Sequence, residues 1–417
     1  MILTPYLQKR TLYPPLIQQK ISSNLGLIVV IPAYKEPFLL LSLLSLHKCR
    51  LPNCDVEVIV VINDSAADTP ETKKINQNTY EQALRWSAKN STLRRKYFIL
   101  YQSDLAPKFA GVGLARKIGM DEACYRLEKI RKKKGIIACF DADSRCEESY
   151  FMAIENHFER HKSIAACNIY FEHPLTGVEQ EEAVYTAIIS YELHLRYFIN
   201  AQRWAGCPFA FHTIGSSMAV RADFYQKQGG MNRRKAGEDF YFLHKFIGLG
   251  NFKPLTATTI IPSARVSDRV PFGTGKAIGD ILRKKSTYLT YNFQTFIDLH
   301  FFLRRLKKIY NQPDDWTSAT LPNSIRKFLI HQQFDEKLQE IHQNTRTFPS
   351  FKKRFFHWFN AFMVIKFAHF ARDTYYGNMP VNEGAQLLLN QLDIKTPSLS
   401  NIDLLKQLRK LDREGKF

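Results

Sequence analysis

Apolar runs and helical patterns alternate through the first two thirds of the chain, and this alternation constrains the fold more than any other feature. Mostly apolar runs predict buried strands at 27–31, 56–62, 97–101 and 136–140, and the first of them is a continuous run rich in β-branched residues. Helical patterns separate these runs. The alternation predicts an α/β fold in which a mostly parallel sheet carries helices on both faces.

The strand signals weaken after the fourth run and stop near residue 277. Helical patterns follow at 290–309, 324–342 and 351–376, which predicts an all-helical C-terminal region. We therefore expect three parts, namely an N-terminal extension at 1–25, an α/β domain at 26–276 and a basic helical region at 277–417.

Composition narrows the classes of partner. The chain has 59 Lys and Arg residues against 39 Asp and Glu residues, a formal net charge of +20, which favours an anionic partner such as a phosphorylated molecule, an anionic membrane or a nucleic acid. The 45% hydrophobic content excludes global disorder. Seven cysteines without metal-ligand spacing indicate reduced thiols and a cytoplasmic location. We find neither a signal-peptide pattern nor a spanning apolar stretch.

Two carboxylates, Asp141 and Asp143, directly follow the fourth predicted strand. The carboxyl ends of parallel strands meet at one edge of an open α/β sheet, where such sheets bind ligands. Carboxylates there suit a hard divalent cation, Mg²⁺ or Mn²⁺, that carries a phosphorylated ligand. An isolated pair of this kind is more often a cap or a turn, so the interpretation depends on the other strand ends.

The other strand ends carry groups that suit a nucleotide. Segment 32–36 follows the first strand with an aromatic ring and a hydrogen-bond acceptor, and 63–65 follows the second with an aspartate. Gly111 and Gly113 do not complete a dinucleotide fingerprint, because Arg116 stands where the third glycine belongs. Gathered at one edge, these groups predict a nucleotide-diphosphate site.

Six segments follow one another along the chain, namely 30–36, 61–65, 113–117, 140–143, 215–219 with 229–230, and 237–239. Their residues and order resemble those of the inverting GT-A glycosyltransferases of family two. The resemblance covers residues 26–275 and leaves the C-terminal helices unexplained. It implies a GT-A nucleotide-binding sheet and transfer of a hexose from a nucleotide-sugar donor, with uracil expected as the base.

The resemblance also implies roles for the matching residues. Asp143 would ligate Mg²⁺ or Mn²⁺ on the diphosphate, with Asp141 beside it at the metal or near the ribose or donor sugar. Asp239 would be the general base, and Glu238 would support it or contact the acceptor. Asp64 would hydrogen-bond the base. The implied contacts of the nucleotide-sugar are Pro32, Tyr34, Glu36, Asp64, Arg116, Asp141 and Ser216.

Three departures from the family pattern qualify these roles. Asn63 stands where the family often has aspartate, which leaves Asp64 to contact the base. The segment 202–204, Gln-Arg-Trp, has the wrong spacing and order for the motif of processive synthases, so we expect a non-processive enzyme. Segment 262–276 has no histidine where some GT-A enzymes place a third metal ligand.

The loop 265–275 contains two arginines and two glycines. One interpretation is a flap that closes on the diphosphate through Arg265 and Arg269. The other is a solvated connector. The sequence does not decide between them.

The C-terminal third combines cations with aromatic rings. Such a segment would suit an interfacial element that rests a cytoplasmic enzyme peripherally on the anionic inner face of a membrane, near a lipid-linked acceptor. Alternatively, the rings form the core of a helical layer, which their spread around most of the helix favours. The residues are Lys352, Lys353, Arg354, Phe355, Phe356, Trp358, Phe359, Phe362 and Phe370.

Two other functions stay open at this point. A nucleotidyltransferase would also use paired aspartates, but it would need a glycine-rich basic loop after the first strand, and 32–36 is not one. A non-enzymatic nucleic-acid-binding protein fits the net charge, but the sequence has no zinc-ligand pattern or RNA-recognition signature, so we expect no nucleic-acid partner. The acceptor, whether a glycan, a lipid-linked molecule or a small molecule, is not specified.

Overall fold

A computed structural model describes residues 3–269, 273–284, 287–313, 316, 321–395 and 400–415 of the 417-residue chain. The chain folds into two compact units. The first comprises Met1–Val184 and Thr213–Gly279, and the second comprises Tyr185–His212 and Asp280–Phe417. The second unit thus takes a segment from the middle of the chain, which the division predicted from the sequence places in the α/β domain.

Within the described residues, the first unit is built on an eight-stranded sheet. The sheet order is β3-β2-β1-β4-β7-β6-β8-β5, and the β2–β3, β1–β2, β1–β4 and β6–β8 pairs are parallel. The strands along the chain are β1 (Leu25–Ala33), β2 (Asp55–Ser65), β3 (Arg95–Leu105), β4 (Ile136–Cys139), β5 (Arg145–Cys146), β6 (Ala166–Phe171), β7 (Met218–Arg221) and β8 (Leu255–Ile261).

The three strands β2, β1 and β4 form the buried centre of this sheet. Val29 of β1 pairs with Val58 of β2 on one side and Ala138 of β4 on the other, and all three residues are fully buried. Gly119 lets the helix Val112–Lys129 lie close to β1, because a Cβ there would come within 2.5 Å of Val30 Cγ1. The parallel arrangement brings the carboxyl ends of the three strands to one edge.

Strand β7 runs antiparallel to both of its neighbours, β4 and β6. It has four residues. Because its direction is reversed, the start of β7 at Met218 pairs with the end of β4 at Cys139. The segment just before β7, which contains Gly215 and Ser216, therefore reaches the edge where β4 ends.

Helices pack around the sheet, which confirms the predicted α/β class. The helix Pro70–Asn90 shows how local sequence sets their ends, since the Thr69 side chain caps the amide of Thr72 and proline occupies the first turn. The helices of this unit are Pro5–Lys9, Leu39–Lys48, Pro70–Asn90, Val112–Lys129, Tyr150–Arg160, Ala222–Lys227 and Glu238–Ile247, and Thr274–Lys284 follows β8.

The second unit is helical, as predicted, except for a two-stranded ribbon in which β9 (Leu289–Tyr291) pairs antiparallel with β10 (Asn378–Pro380). No helix within the described ranges is sufficiently long and apolar to cross a lipid bilayer. The helices are Glu182–Ala205, Phe293–Arg304, Leu306–Asn311, Asn323–His331, Phe334–Gln343, Phe348–Trp358, Ala361–Ala371, Arg372–Tyr376 (a π-helical turn), Val381–Gln391 and Asn401–Glu414.

Buried charges tie the middle segment 185–212 to the C-terminal helix Asn401–Glu414. Asp412 accepts hydrogen bonds from Arg203 Nη1 at 2.5 Å and His212 Nε2 at 3.0 Å. Arg409 Nη2 lies 2.7 Å from Glu192 Oε2. Burial raises the pKa of Asp412, but His212 and the neighbouring arginines outweigh it and hold that pKa well below the usual range. These pairs explain why the middle segment folds with the second unit.

Part of the C-terminal aromatic run lies in the core of this unit. Phe355 and Phe359 are fully buried, and the Phe302 ring centroid lies 5.8 Å and 5.4 Å from theirs. The cations of segment 352–354 are exposed on the same helix. Two of the six rings of the run are thus core residues, as the packed-layer interpretation predicts, whereas Phe356, Trp358, Phe362 and Phe370 are partly exposed.

Candidate active site

The predicted edge of the sheet holds a cluster of four charged side chains, Glu36, Asp143, Arg265 and Arg269, which we call the arginine clamp. Arg265 Nη2 contacts Glu36 Oε2 and lies 3.0 Å from Asp143 Oδ2. Arg269 Nη1 lies 2.8 Å from Glu36 Oε2, and its Nη2 lies 2.9 Å from Asp143 Oδ2. The Glu36 side chain is 0% exposed and that of Asp143 is 22% exposed. Two positive and two negative charges thus balance within the cluster.

The clamp is also tied to the backbone after β1. Arg269 Nη1 donates to the Tyr34 carbonyl at 3.2 Å, and Arg265 Nε is buried without a hydrogen-bond partner in the described part of the chain. Burial lowers the pKa of Arg269, but Asp143 and Glu36 outweigh that effect and raise it. Arg269 therefore stays charged at the edge. Residues 270–272 of the proposed flap lie outside the described residues.

Arg116 connects the end of β4 to the start of the helix Glu238–Ile247. Its guanidinium contacts Asp141 through Nη2 and Glu238 through Nη1, and the residue is 3% exposed. Gly215 makes room for it, because a Cβ there would come within 2.4 Å of Arg116 Nη2. Burial lowers the pKa of Arg116, but Asp141 and other anions outweigh that effect and raise it. A buried, permanently charged side chain thus links the Asp-x-Asp segment to the predicted base segment.

Asp239 is half-buried beside this link, in the first turn of its helix. Gly237 precedes the helix in the left-handed region, with φ of 68°, which favours glycine. Asp239 Oδ1 accepts the Phe240 amide at 2.7 Å. Burial raises the pKa of Asp239 above its ordinary value, although Arg116 and the amide oppose the shift. A carboxylate with a raised pKa takes up a proton more readily, as a general base must.

The edge beyond β2 and β3 holds a second set of hydrogen bonds. Asp64, which is buried, accepts the Tyr101 hydroxyl at 2.5 Å on Oδ2 and the Asp104 amide at 2.7 Å on Oδ1. The Tyr34 hydroxyl donates to Asp68 Oδ1 at 2.9 Å. Burial and Asp68 raise the pKa of Tyr34 to about 12. The carboxylate predicted to read the base is thus held rigidly by its neighbours.

Sequence reasoning missed Asp68, which follows β2, and Tyr101 and Asp104, which lie in the C-terminal half of β3. Pro32 lies within β1, paired with Val61, and is buried. Ser216 is also buried, with its hydroxyl 3.3 Å from that of Ser217. The predicted donor contacts of Pro32 and Ser216 stay predictions.

The carboxylates at the end of β4 suit a divalent cation that phosphate completes. The described residues contain no group of three His, Cys, Asp or Glu side chains that could hold a metal by themselves. Both clamp arginines contact Oδ2 of Asp143, so Oδ1 takes no part in those bonds. Mg²⁺ commonly binds one or two carboxylates together with substrate phosphates and water. Asp143 and Asp141 fit such a site.

Comparison with protein families identifies the class. The model for glycosyl transferase family group 2 matches residues 136–370, which is more than half of the chain. The chain belongs to this family and is a glycosyltransferase. Family membership favours this class over a nucleotidyltransferase or a non-enzymatic nucleic-acid-binding protein. A search of curated proteins found no match to the chain.

Solved structures give more distant likenesses. A crystal structure of S. aureus TarS residues 1–349 in complex with UDP-GlcNAc has a TM-score of 0.37 at 14% identity, covering 94% of this chain and 93% of that one. The same TarS fragment in complex with UDP has a TM-score of 0.36 at 14% identity and the same coverage. Another TarS structure has a TM-score of 0.38 at 14% identity, covering 78% of this chain and 56% of that one. Likenesses this distant assign no substrate.

Proposed function

We propose that this glycosyltransferase moves a sugar from a UDP-sugar donor to an acceptor hydroxyl in one metal-dependent, inverting and non-processive displacement. The observation that carries the proposal is the position of Arg116, which contacts both Asp141 and Glu238. Through this one side chain, the sheet edge suited to a nucleotide diphosphate is joined to the helix start that bears the candidate base.

The donor diphosphate would lie against the arginine clamp. Arg265 and Arg269 together neutralise Glu36 and Asp143, and the buried Nε of Arg265 has no hydrogen-bond partner in the described part of the chain. A bound diphosphate offers several strong acceptors, so the guanidinium groups would turn from the carboxylates to the phosphate oxygens. In that position they would stabilise the negative charge that develops on the leaving nucleotide.

Asp143 and Asp141 would hold Mg²⁺ or Mn²⁺ against the diphosphate. When bound, this cation would further stabilise the negative charge that develops on the leaving nucleotide. Turning the arginines toward phosphate would free Asp143 Oδ2, now engaged by both of them.

Asp239 is better suited than Glu238 to take the proton of the acceptor hydroxyl. Glu238 is buried and paired with Arg116, whereas Asp239 is half-buried and has a raised pKa because of its burial. As the proton passes to Asp239, the acceptor oxygen would attack the anomeric carbon opposite the leaving diphosphate. One displacement of this kind inverts the anomeric centre. Glu238, held by Arg116, would fix the first helical turn.

A peripheral membrane contact would involve the helix Phe348–Trp358. The exposed cations Lys352, Lys353 and Arg354 would be the residues to meet an anionic bilayer, since the neighbouring ring of Phe355 is packed inward. Flotation with anionic vesicles at low and high salt tests this contact, and absence of binding at low salt would end the proposal of peripheral attachment.

A sugar-nucleotide screen with and without Mn²⁺ tests the function itself. We expect a UDP-sugar to raise the melting temperature, and we expect Asp143→Ala to abolish the additional rise due to Mn²⁺. Asp223→Ala, on a separate helix of the same unit, is the matched control. The anomeric configuration of the transfer product, read by NMR, tests inversion. A metal-independent enzyme or a retained configuration would contradict the corresponding part of the proposal.

A further inference from the structure

Two thiols meet close to the loop that carries Asp143. Cys49 follows the helix Leu39–Lys48, and Cys146 lies on β5. Their Sγ atoms are 3.5 Å apart, and no disulfide joins them. Cys49 is 3% exposed, and Cys146 is half-buried. The proposed transfer reaction uses neither thiol.

The surrounding hydrogen bonds hold both residues in this arrangement. The Cys146 amide donates to Ser45 Oγ at 2.9 Å, and Cys49 Sγ lies 3.5 Å from the Ser45 carbonyl and 3.6 Å from that of Glu147. A disulfide has an S–S length of about 2.0 Å, so bonding requires the sulfur atoms to approach by about 1.5 Å. Side-chain rotation with a small shift of β5 supplies a movement of that size.

Strand β5 links the chain segment that carries Asp143 to the strand that leads to Arg265. Cys146 lies three residues beyond Asp143, and Arg145 and Cys146 pair with Ile261 and Ile260 at the end of β8. The chain leads from Ile261 directly to Arg265. Because β5 has two residues and lies at the edge of the sheet, it is an element that opens locally at low cost. A covalent bond at Cys146 would restrict the segments that lead to both Asp143 and Arg265.

We propose that Cys49 and Cys146 are a redox modification site that forms a reversible disulfide with a peroxide as oxidant. One thiol is oxidised to a sulfenic acid as the peroxide O–O bond breaks, and for hydrogen peroxide the first water leaves. The second thiol attacks that sulfur, the S–S bond forms, and the second water leaves. Two thiols and one hydrogen peroxide thus give one disulfide and two waters, and a dithiol reductant reverses the change.

The same geometry makes the reaction slow. Burial and the neighbouring Cys49 raise the pKa of Cys146 well above its usual value, which disfavours the reactive thiolate. Oxidation therefore proceeds through the opened form of β5. Once formed, the bond stabilises the first unit, because it closes a long loop of chain between residues 49 and 146. This inference rests on the proposed function in one respect: we expect the restricted segments to weaken donor binding.

Peptide mapping by mass spectrometry under non-reducing conditions tests the bond. The full chain is treated with hydrogen peroxide and compared with Cys49→Ser, Cys146→Ser and the control Cys54→Ser, a half-buried thiol of the same unit. We expect a cross-linked Cys49–Cys146 peptide in wild type and in Cys54→Ser, its absence in the other two variants, and its loss after dithiothreitol. The proposal is overturned if the peroxide oxidises a small-molecule thiol added as a reference but yields no cross-linked Cys49–Cys146 peptide. It is also overturned if Cys49 or Cys146 forms its disulfide with Cys54 instead.

Two further measurements test the consequence. We expect the oxidised wild type to melt several degrees higher than the reduced protein and to bind the UDP-sugar about fivefold more weakly, with both changes reversed by dithiothreitol. A disulfide that leaves donor affinity unchanged overturns the regulatory half of the proposal. Failure of the reduced protein to bind any sugar nucleotide counts against the proposed function instead, and the mapping and melting results still decide the disulfide.

Discussion

Replacement of Arg116 by methionine would remove both ion pairs that join Asp141 to Glu238. The Glu238 side chain is 4% exposed, so it would be left as a buried and unpaired charge, whereas Asp141 at 35% exposure can be solvated. Breaking a buried pair in this way costs about 3–5 kcal/mol of unfolding free energy. For a unit of this size, the loss corresponds to a melting temperature lower by about 6–20 °C.

A double-mutant cycle isolates the cause of this loss. Adding Glu238→Gln removes the unpaired charge, so we expect the double variant to regain at least about half of the stability lost by Arg116→Met. The matched control is Arg85→Met, since Arg85 is exposed and its closest anion, Glu81, is 3.9 Å away; this change should cost less than about 0.5 kcal/mol. Thermal and urea unfolding measure both values. A loss below about 1 kcal/mol for Arg116→Met, or full additivity with Glu238→Gln, would refute the reasoning.

The same variant makes a prediction about pH. The positive charge of Arg116 lowers the pKa of Asp239 against the larger effect of burial. Its removal should raise that pKa further, and a general base must be deprotonated to act. The acidic limb of the kcat/KM profile should therefore move to higher pH in the active fraction of Arg116→Met. A limb that stays in place or moves to lower pH would contradict this assignment.

Three other changes test separate parts of the structure. The double variant Arg265→Met with Arg269→Met should weaken UDP-sugar binding at least about tenfold, as measured by calorimetry. The control Arg283→Met changes an exposed arginine and should leave binding unchanged. Equal effects of the two changes would show that the clamp is not part of the donor site. Phe355→Ala should cost about 3–5 kcal/mol of stability, since the ring is fully buried, and a loss below about 1 kcal/mol would exclude it from the core. The folded-state pKa of Asp412 is depressed, so its stabilising contribution is present above the unfolded pKa of about 3.9 and is lost as pH falls toward the folded value. Asp412→Asn should flatten the acid dependence of stability below about pH 4, and an unchanged slope would contradict the cause.

The sequence predicts the buried centre of the sheet well, for a physical reason. The central runs of β1, β2 and β4 are almost entirely apolar, with Glu57 of β2 as the charged exception, and strands covered on both faces require that pattern. Because β4 runs parallel to β1 and β2, Asp141 and Asp143 then lie at the edge of the sheet where the carboxyl ends of these strands meet. Local pattern is sufficient here because burial acts on consecutive residues.

Other features depend on contacts between distant residues and carry no local signal. The reversed direction of β7, a four-residue strand, follows from the path of the chain around it. Arg116 meets Glu238 across 122 positions, and Asp412 meets His212 across 200. Periodicity and spacing report neighbours within a helix or strand, so pairs of this kind, and the inclusion of 185–212 in the second unit, require the folded structure.

The assignment of Asp239 as the proton acceptor is tested most directly by Asp239→Asn, an isosteric change that removes the basic oxygen. Donor affinity and transfer rate should be measured on the same preparation. We expect the UDP-sugar dissociation constant to stay within about threefold of wild type and the transfer rate to fall by a factor of about 10² to 10⁴. Transfer at the wild-type rate, or a loss of donor binding as large as the loss of rate, would contradict the account.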